Sequence, residues 1–512
     1  MKRMLKAASL FILTFSVYIK TLAPGVVGFD SAELITGIYT QGIVHPTGYP
    51  TYLILGRIFS FLPFGNSAFR INSMSAFFAS LTVLLLYFIL LHLLKNWKLA
   101  WLSAFLFAVS NYFWQMALVA EVYTLHTFFL SLNLFWVMRW REGGNFRNLY
   151  AFAFTMGLSL TNHVSSAVFM PGFAWLILSS KYWKWPQWNT LLKLGVLFFL
   201  GLTPYIYLPI RAASHPLLNY AETYYEVDLT TFKGVWWMIS GEAYQFYTFA
   251  YSLKQIPGEI MKFLGFLWRN FFGVGIFFGL AGLFHLWKKD RHMLAGLFLV
   301  FLANAAFFIN YAVFDKDTMF LPAYLIWAIF CAYGLLAIHD WLEEWMQTAG
   351  LPRFVKTSFL IMLVLTNILA LGLNWKWLDM SEHTVAADFA QEVLLNASED
   401  ATVIASWSPA VVLEYYQLVE GQRPDLNIIN RSRYNVANYY AVDSTTALSR
   451  SEILKEIQKI ELEVVNCELG KRSVYMTEYD SLFAQYFDYI PEGNYFRLTS
   501  PQSSNCEVSQ QN

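Results

Sequence analysis

Apolar positions in the first three quarters of this chain do not alternate with polar ones but run on for a dozen residues or more, the pattern of helices apolar all round. A bilayer core about 30 Å thick takes about 20 apolar helical residues to cross. About eleven such runs are predicted, near Leu5 to Leu22, Ile71 to Leu94, Leu99 to Tyr112, Met116 to Met138, Leu149 to Leu160, Val164 to Leu178, Leu191 to Ile210, Phe263 to Leu286, Met293 to Ile309, Phe320 to Ile338 and Phe354 to Leu373. The first follows Met1-Lys2-Arg3 and, with no convincing small-x-small site after it, is read as a retained span rather than a cleaved signal. After about Asn374 the long runs stop and short alternating segments begin. Thr402 to Ala405, Leu426 to Ile429 and Ser473 to Met476 read as strands, and Ala410 to Val419 and Ser451 to Glu463 as helices. The expected fold class is mainly α: a polytopic membrane helical bundle of about 11 transmembrane helices over residues 1–375, followed by a small α/β domain over residues 376–512.

Composition agrees. The chain is 57% hydrophobic and 14% charged, with a mean hydropathy of +0.42, more apolar than a water-soluble surface allows. A net charge of zero leaves no basic excess for nucleic acid. Charge placement is more informative. With the N-terminus inside, every second loop is basic: Lys95 and Lys98; Arg139, Arg141 and Arg147; Lys181 and Lys184; Lys288, Lys289 and Arg291; Arg353 and Lys356. The alternate loops carry Asp30, Glu33, His45, Glu121, Asn162, His163, Asp315 and Asp317. Two of these outer loops are long, residues 23–70 and 212–262, and the small α/β domain after residue 375 is expected on the same outer face. Tyr52 to Phe59 suits an interfacial helix. The aromatics Trp236, Trp237, Tyr244, Phe246 and Tyr247 suit a headgroup-level belt. Cys331 reads as a buried thiol, and Cys467 and Cys506 form a pair only if their domain faces an oxidising compartment.

Ionisable side chains gathered on one membrane face point to function. Asp30 and Glu33 stand three apart in Gly28-Phe29-Asp30-Ser31-Ala32-Glu33, so a helix starting here brings both carboxylates to one face. The same spacing is that of a capping box, with Asp30 as N-cap. In His45-Pro46-Thr47-Gly48-Tyr49-Pro50, two prolines and a glycine predict a rigid turn presenting His45 and Tyr49. Glu121 and His163 sit at two further outer edges, and Arg70 and Arg211 depart from the inside bias, as guanidiniums for an anionic group or for lipid headgroups. No P-loop, HExxH, nucleophile elbow or Rossmann fingerprint occurs, which argues against ATP-driven transport, metalloprotease and serine hydrolase chemistry. Carboxylates, histidines and arginines at one boundary suit a general base acting on a hydroxyl beside a cationic site for a phosphate leaving group. Asp30, Glu33 and Asp315 are also a possible divalent-ion set, although no metal is predicted.

The stretch from Gly28 to Ala76, GFDSAELITGIYTQGIVHPTGYPTYLILGRIFSFLPFGNSAFRINSMSA, resembles the opening signature of a family of prokaryotic membrane proteins whose animal relative is a protein O-mannosyltransferase. All of these look like GT-C glycosyltransferases. The resemblance extends through Ala120-Glu121-Val122-Tyr123, Gly157 to His163, Pro204 to Arg211 and Gly421-Gln422-Arg423-Pro424-Asp425. It implies a GT-C-like bundle that transfers a sugar, mannose or similar, from a polyprenyl or dolichyl phosphate carrier to a hydroxyl of a protein or other acceptor on the outer face, with inversion. It carries the base over to Asp30, with Glu33 as its neighbour. His45, Tyr49, Arg70, Glu121, His163 and Arg211 become expected substrate-binding residues, the arginines for the departing lipid phosphate. The lipid-linked sugar is a donor substrate, no metal cofactor is demanded, and the partners are donor, acceptor and membrane lipid. Compact loops favour a bacterial plasma membrane. The alternative is a transporter or flippase of lipid-linked sugars, which would place its charges near the midplane in paired halves.

Overall fold

The computed structural model describes residues 2–313, 315–349, 352, 354–432 and 450–499. The chain opens with α1 (Lys2–Lys20), the short pair α2 (Asp30–Thr40) and α3 (Pro50–Phe59), then α4 (Ser67–Leu94), α5 (Trp97–Ala108), α6 (Asn111–Met116), α7 (Val122–Gly143) and α8 (Phe146–Asn162). It continues through α9 (Met170–Leu178), α10 (Trp188–Gly201), α11 (Tyr207–Ala212), α12 (Tyr220–Tyr225) and α13 (Phe232–Ser240). Next come α14 (Ile256–Asn270), α15 (Val274–Lys289), α16 (Arg291–Ile309), α17 (Lys316–Met319), α18 (Leu321–Ala349) and α19 (Phe354–Leu378). Polar residues start the apolar helices: Asn66 Oδ1 accepts from Phe69 N–H at 2.8 Å, and Asp290 Oδ1 from Met293 N–H at 2.9 Å.

Each of the eleven apolar runs falls on a helix or on consecutive helices. Among the described residues, five helices are long and apolar enough by length and composition to cross a bilayer, or six if one bent pair forms a span. That bent pair corrects the single run predicted over Phe263 to Leu286: α14 and α15 meet at 101°. Gly273 takes φ 71 and Phe272 φ 53, a left-handed stop that hydropathy does not register. Gly273 N–H closes on Trp268 O at 2.9 Å.

Without water to drive association, helices in lipid pack where backbones approach closely. α15 lies along α18 through Gly282 and Gly334, where a Cβ would land on the Phe330 and Phe278 carbonyls, and α8 meets α10 through Gly157 and Gly201 in the same way. α18 is the central helix, with 89% of its apolar window buried, against 11% for the segment from Trp188 to Ala212 and 22% for α19. Leu192, Val196 and Phe199 of α10 face outward, as a lipid-facing helix requires. Cys331 is buried, its Sγ 3.1 Å from Gly275 O.

The predicted basic loops collect at one end of the bundle. Arg141 Nη2 lies 3.7 Å from Asp290 Oδ2, Arg139 pairs with Glu142, Lys356 pairs with Glu343, and Lys6 sits over the Trp97 ring. Arg353 lies outside the described residues. The polar loops gather at the opposite end.

The C-terminal domain begins with α20 (Val385–Asn396) and continues with β1 (Thr402–Ala405), α21 (Trp407–Leu418), β2 (Asn427–Asn430), α22 (Arg450–Leu469), β3 (Val474–Met476), β4 (Asp488–Pro491) and β5 (Phe496–Thr499). One mixed sheet runs β2-β1-β3-β5-β4, with β1 parallel to β2 and β3, and β5 antiparallel to β3 and β4. The predicted strands and helices are all present, and the β4–β5 hairpin is additional. Val403, Ala405 and Ala410 to Leu413 belong to the same apolar cluster as α1 and α4, so the domain's inner face is continuous with the bundle core. The Cys467–Cys506 pairing lies outside the described residues.

Candidate active site

Asp30 is the first residue of α2, and Phe29 before it is the N-cap, with φ 60 and no side-chain cap. The capping-box expectation is therefore incorrect. Asp30 lies one position inside the helix, and Glu33 finds a partner beyond it. Glu33 Oε1 accepts from the backbone N–H of His45 at 2.8 Å, and Oε2 faces His45 Nδ1 at 2.5 Å. The predicted turn at His45 to Pro50 makes this possible: Gly48 and Tyr49 take φ 79 and φ 42, Gly48 N–H closes on His45 O at 2.9 Å, and Pro50 opens α3.

His45 Nε2 stands 3.1 Å from Tyr49 Oη and 3.7 Å from Asp30 Oδ2. Burial pulls the imidazolium down, but the Glu33 and Asp30 carboxylates outweigh it and raise His45 to about 9. At neutral pH both ring nitrogens then donate, Nδ1 to Glu33 and Nε2 to Tyr49, whose hydroxyl passes its own proton to Pro46 O at 3.2 Å. The two carboxylates are consequently unlike. The Glu33 side chain is 2% exposed and committed to His45, whereas that of Asp30 is 36% exposed and open to a ligand.

Other predicted residues converge on this pair. The His163 ring is 5.8 Å from Tyr49 and 5.9 Å from Tyr123, with Nδ1 2.8 Å from Ser165 Oγ. Burial and the neighbouring His45 cation lower it to about 4, so it is neutral. Glu121 is the N-cap of α7, and burial, then the nearby Asp30 and Asp315 carboxylates, push its carboxyl well above the usual range. Burial, then Asp30, push Asp315 up to about 6.

The two arginines are placed elsewhere. Arg70 spends its guanidinium on the carbonyls of Phe64, Ser60 and Gly65 at 3.0, 3.2 and 3.1 Å. Arg211 donates from Nε to Gln41 O at 2.7 Å, at the far end of α2 from Asp30. The buried cation nearest Asp315 in sequence is Lys316, ion-paired with Glu259 of α14.

Several site residues escape a reading by sequence proximity. The rings of Tyr220 and Tyr244, from the 212–262 loop, lie 6.1 and 6.4 Å from His45. Tyr220 is held by its N–H on Ile43 O at 2.8 Å. The predicted aromatic belt therefore divides: Trp236 and Phe246 are exposed, while Trp237 is buried and Tyr244 is partly buried with its ring beside His45. Asn72, completely buried, accepts from Ala120 N–H at 2.9 Å and donates to Ala23 O and Gly25 O at 3.1 Å. It thereby pins the turns before Asp30 and Glu121 to α4.

The ligand atoms of Asp30, Glu33 and His45 fall within 4.8 Å of one another. Nδ1 of His45 and the Glu33 carboxylate already satisfy each other, so this set reads as an ion pair, and no step below runs through a metal.

Residues 30–186, which hold Asp30, Glu33, His45, Tyr49, Glu121 and His163, match the family model described as Protein O-mannosyl-transferase TMEM260 N-terminal domain. The chain is 24% identical over 450 residues to Protein O-mannosyl-transferase TMEM260 of Mus musculus, covering 83% of this chain and 62% of that protein. It is 25% identical over 471 residues to Protein O-mannosyl-transferase tmem260 of Dictyostelium discoideum, covering 82% and 56%. The chain thus spans about three-fifths of the length of these curated relatives. In fold it is similar to ArnT from Cupriavidus metallidurans, solved bound to undecaprenyl phosphate, with a TM-score of 0.61 at 11% identity over 97% of this chain and 98% of that one. The chain is therefore similar in sequence to the TMEM260 proteins and in fold to ArnT, with its ionisable cluster inside the segment that matches their N-terminal domain.

Proposed function

We propose that this chain is a multi-pass GT-C glycosyltransferase that moves a sugar, mannose or similar, from a polyprenyl or dolichyl phosphate to a hydroxyl of a protein or other acceptor, with inversion. The observation that carries this reading is the unequal carboxylate pair: Asp30 open, Glu33 locked on a cationic His45. Asp30 takes the acceptor hydroxyl proton as the oxygen attacks the anomeric carbon. The bond from that carbon to the phosphate oxygen breaks, and the lipid phosphate leaves with one more negative charge. The His45 ring stands beside this carboxylate, its Nε2 3.7 Å from Asp30 Oδ2. Tyr49, Tyr220, Tyr244 and His163 form the polar and aromatic walls of the sugar pocket. The separation of basic and acidic ends supports an extracytoplasmic site in a plasma membrane, with the C-terminal domain beside it.

Purified protein in detergent, given radiolabelled polyprenyl-phosphate-mannose and a membrane extract as acceptor, tests the reading. Label moving into a lipid-free product supports it. Label that crosses the bilayer of proteoliposomes without leaving its lipid supports the flippase instead.

A further inference from the structure

The C-terminal domain meets the bundle at the start of α21, directly over the first turn of α2. Phe29 N–H donates to Ser408 Oγ at 3.2 Å. Gly28 lies so close beneath that hydroxyl that a methyl group there would overlap it, while the Ser408 Cβ would stand 3.4 Å away. Gly28 is thus needed for room. Phe29 holds φ 60, a conformation rare for a bulky residue, which persists only where surroundings enforce it. Asp30 follows immediately. Two more residues of α21 reach the same site. The Trp407 ring is 5.9 Å from Tyr220, which also flanks His45. Burial, with Glu33 adding to it, raises Glu414 to about 8, which places its carboxyl within the field of the site.

We propose that Ser408 is a positioning residue: by accepting the Phe29 N–H across the domain interface it fixes the first turn of α2, and with it the place of the Asp30 carboxylate. The C-terminal domain is on this account a built-in part of the active site. The inference rests on the glycosyltransferase reading of Asp30, but the contact itself does not.

Two measurements on the full chain test it. In the transfer assay, Gly28→Ala is expected to lower kcat about 100-fold, and Ser408→Ala about tenfold, with the donor KM changed less than about threefold, because the base is misplaced rather than the donor site lost. The double variant Gly28→Ala/Ser408→Ala gives the new methyl the room of the hydroxyl. It is expected to return to the level of Ser408→Ala alone, about tenfold above Gly28→Ala. Losses that simply multiply in an active enzyme overturn the proposal, as does full activity in Ser408→Ala.

The second measurement needs no activity. Gly28→Cys paired with Ser408→Cys is oxidised in membranes and the cross-link mapped by mass spectrometry, the Cβ separation lying near the disulfide range of about 3.5–4.5 Å. A cross-link between the two positions is expected, and its absence overturns the contact. Wild-type protein that transfers no sugar overturns the glycosyltransferase reading, and the positioning role with it, while the cross-link still decides whether the interface exists.

Discussion

Glu33 grips His45 at two points, accepting its backbone N–H at 2.8 Å and facing its Nδ1 at 2.5 Å. This double contact closes the loop between α2 and α3 and sets Tyr49 Oη 3.1 Å from the other ring nitrogen. It also leaves the neighbouring Asp30 as the carboxylate with room for a substrate.

The pair makes stability depend on pH. His45 titrates at about 9 in the folded chain, against about 6.5 when unfolded. Its contribution is full below about pH 6.5, fades as pH rises toward about 9 and is gone above that. Thermal melts in detergent are expected to show Tm falling across this window. Glu33→Gln is expected to lower stability near pH 6.5 by about 2–3 kcal/mol and to flatten the slope, the two curves converging near pH 9. A wild-type Tm that is flat or rises from pH 6.5 to 9 contradicts the assignment.

Arg70 is predicted to serve the fold and not the phosphate. Arg70→Gln removes three donors from the carbonyls of Ser60, Phe64 and Gly65, at a cost of about 1–2 kcal/mol of stability for this half-exposed side chain. The donor Kd, read by titration, is expected to change by less than about twofold. Tenfold weaker binding at an unchanged Tm would return Arg70 to the site.

The seam between α15 and α18 admits no side chain at Gly282 or Gly334. Gly334→Ala is expected to cost about 1–3 kcal/mol through overpacking, read as a lower Tm and a smaller monodisperse fraction on gel filtration. The same change at Gly372, with nothing near its Cβ position, is the control. Equal effects at the two positions would contradict this helix contact.

Asp30, Glu33, His45 and Tyr49 are legible in the sequence because one local turn brings them together. The spacing of Asp30 and Glu33 suits a capping box as well as a shared helix face and does not show the partner of Glu33, which lies 12 residues on. Tyr220, Tyr244 and Ser408 join the site from remote elements, and Ser408 contacts Phe29 across 379 positions; no local pattern marks such a contact. The long apolar runs give the bundle directly. The bend at Gly273 does not show, since hydropathy continues through it, and the β4–β5 hairpin is too short and exposed to raise an alternating signal.

The central claim is that Asp30 is the base. The most direct measurement is sugar transfer by purified wild type and Asp30→Asn from radiolabelled polyprenyl-phosphate-mannose, with donor binding measured on the same samples. The account predicts transfer by wild type and a loss of at least about 100-fold in Asp30→Asn, with donor binding retained. Transfer by Asp30→Asn at the wild-type rate would contradict it.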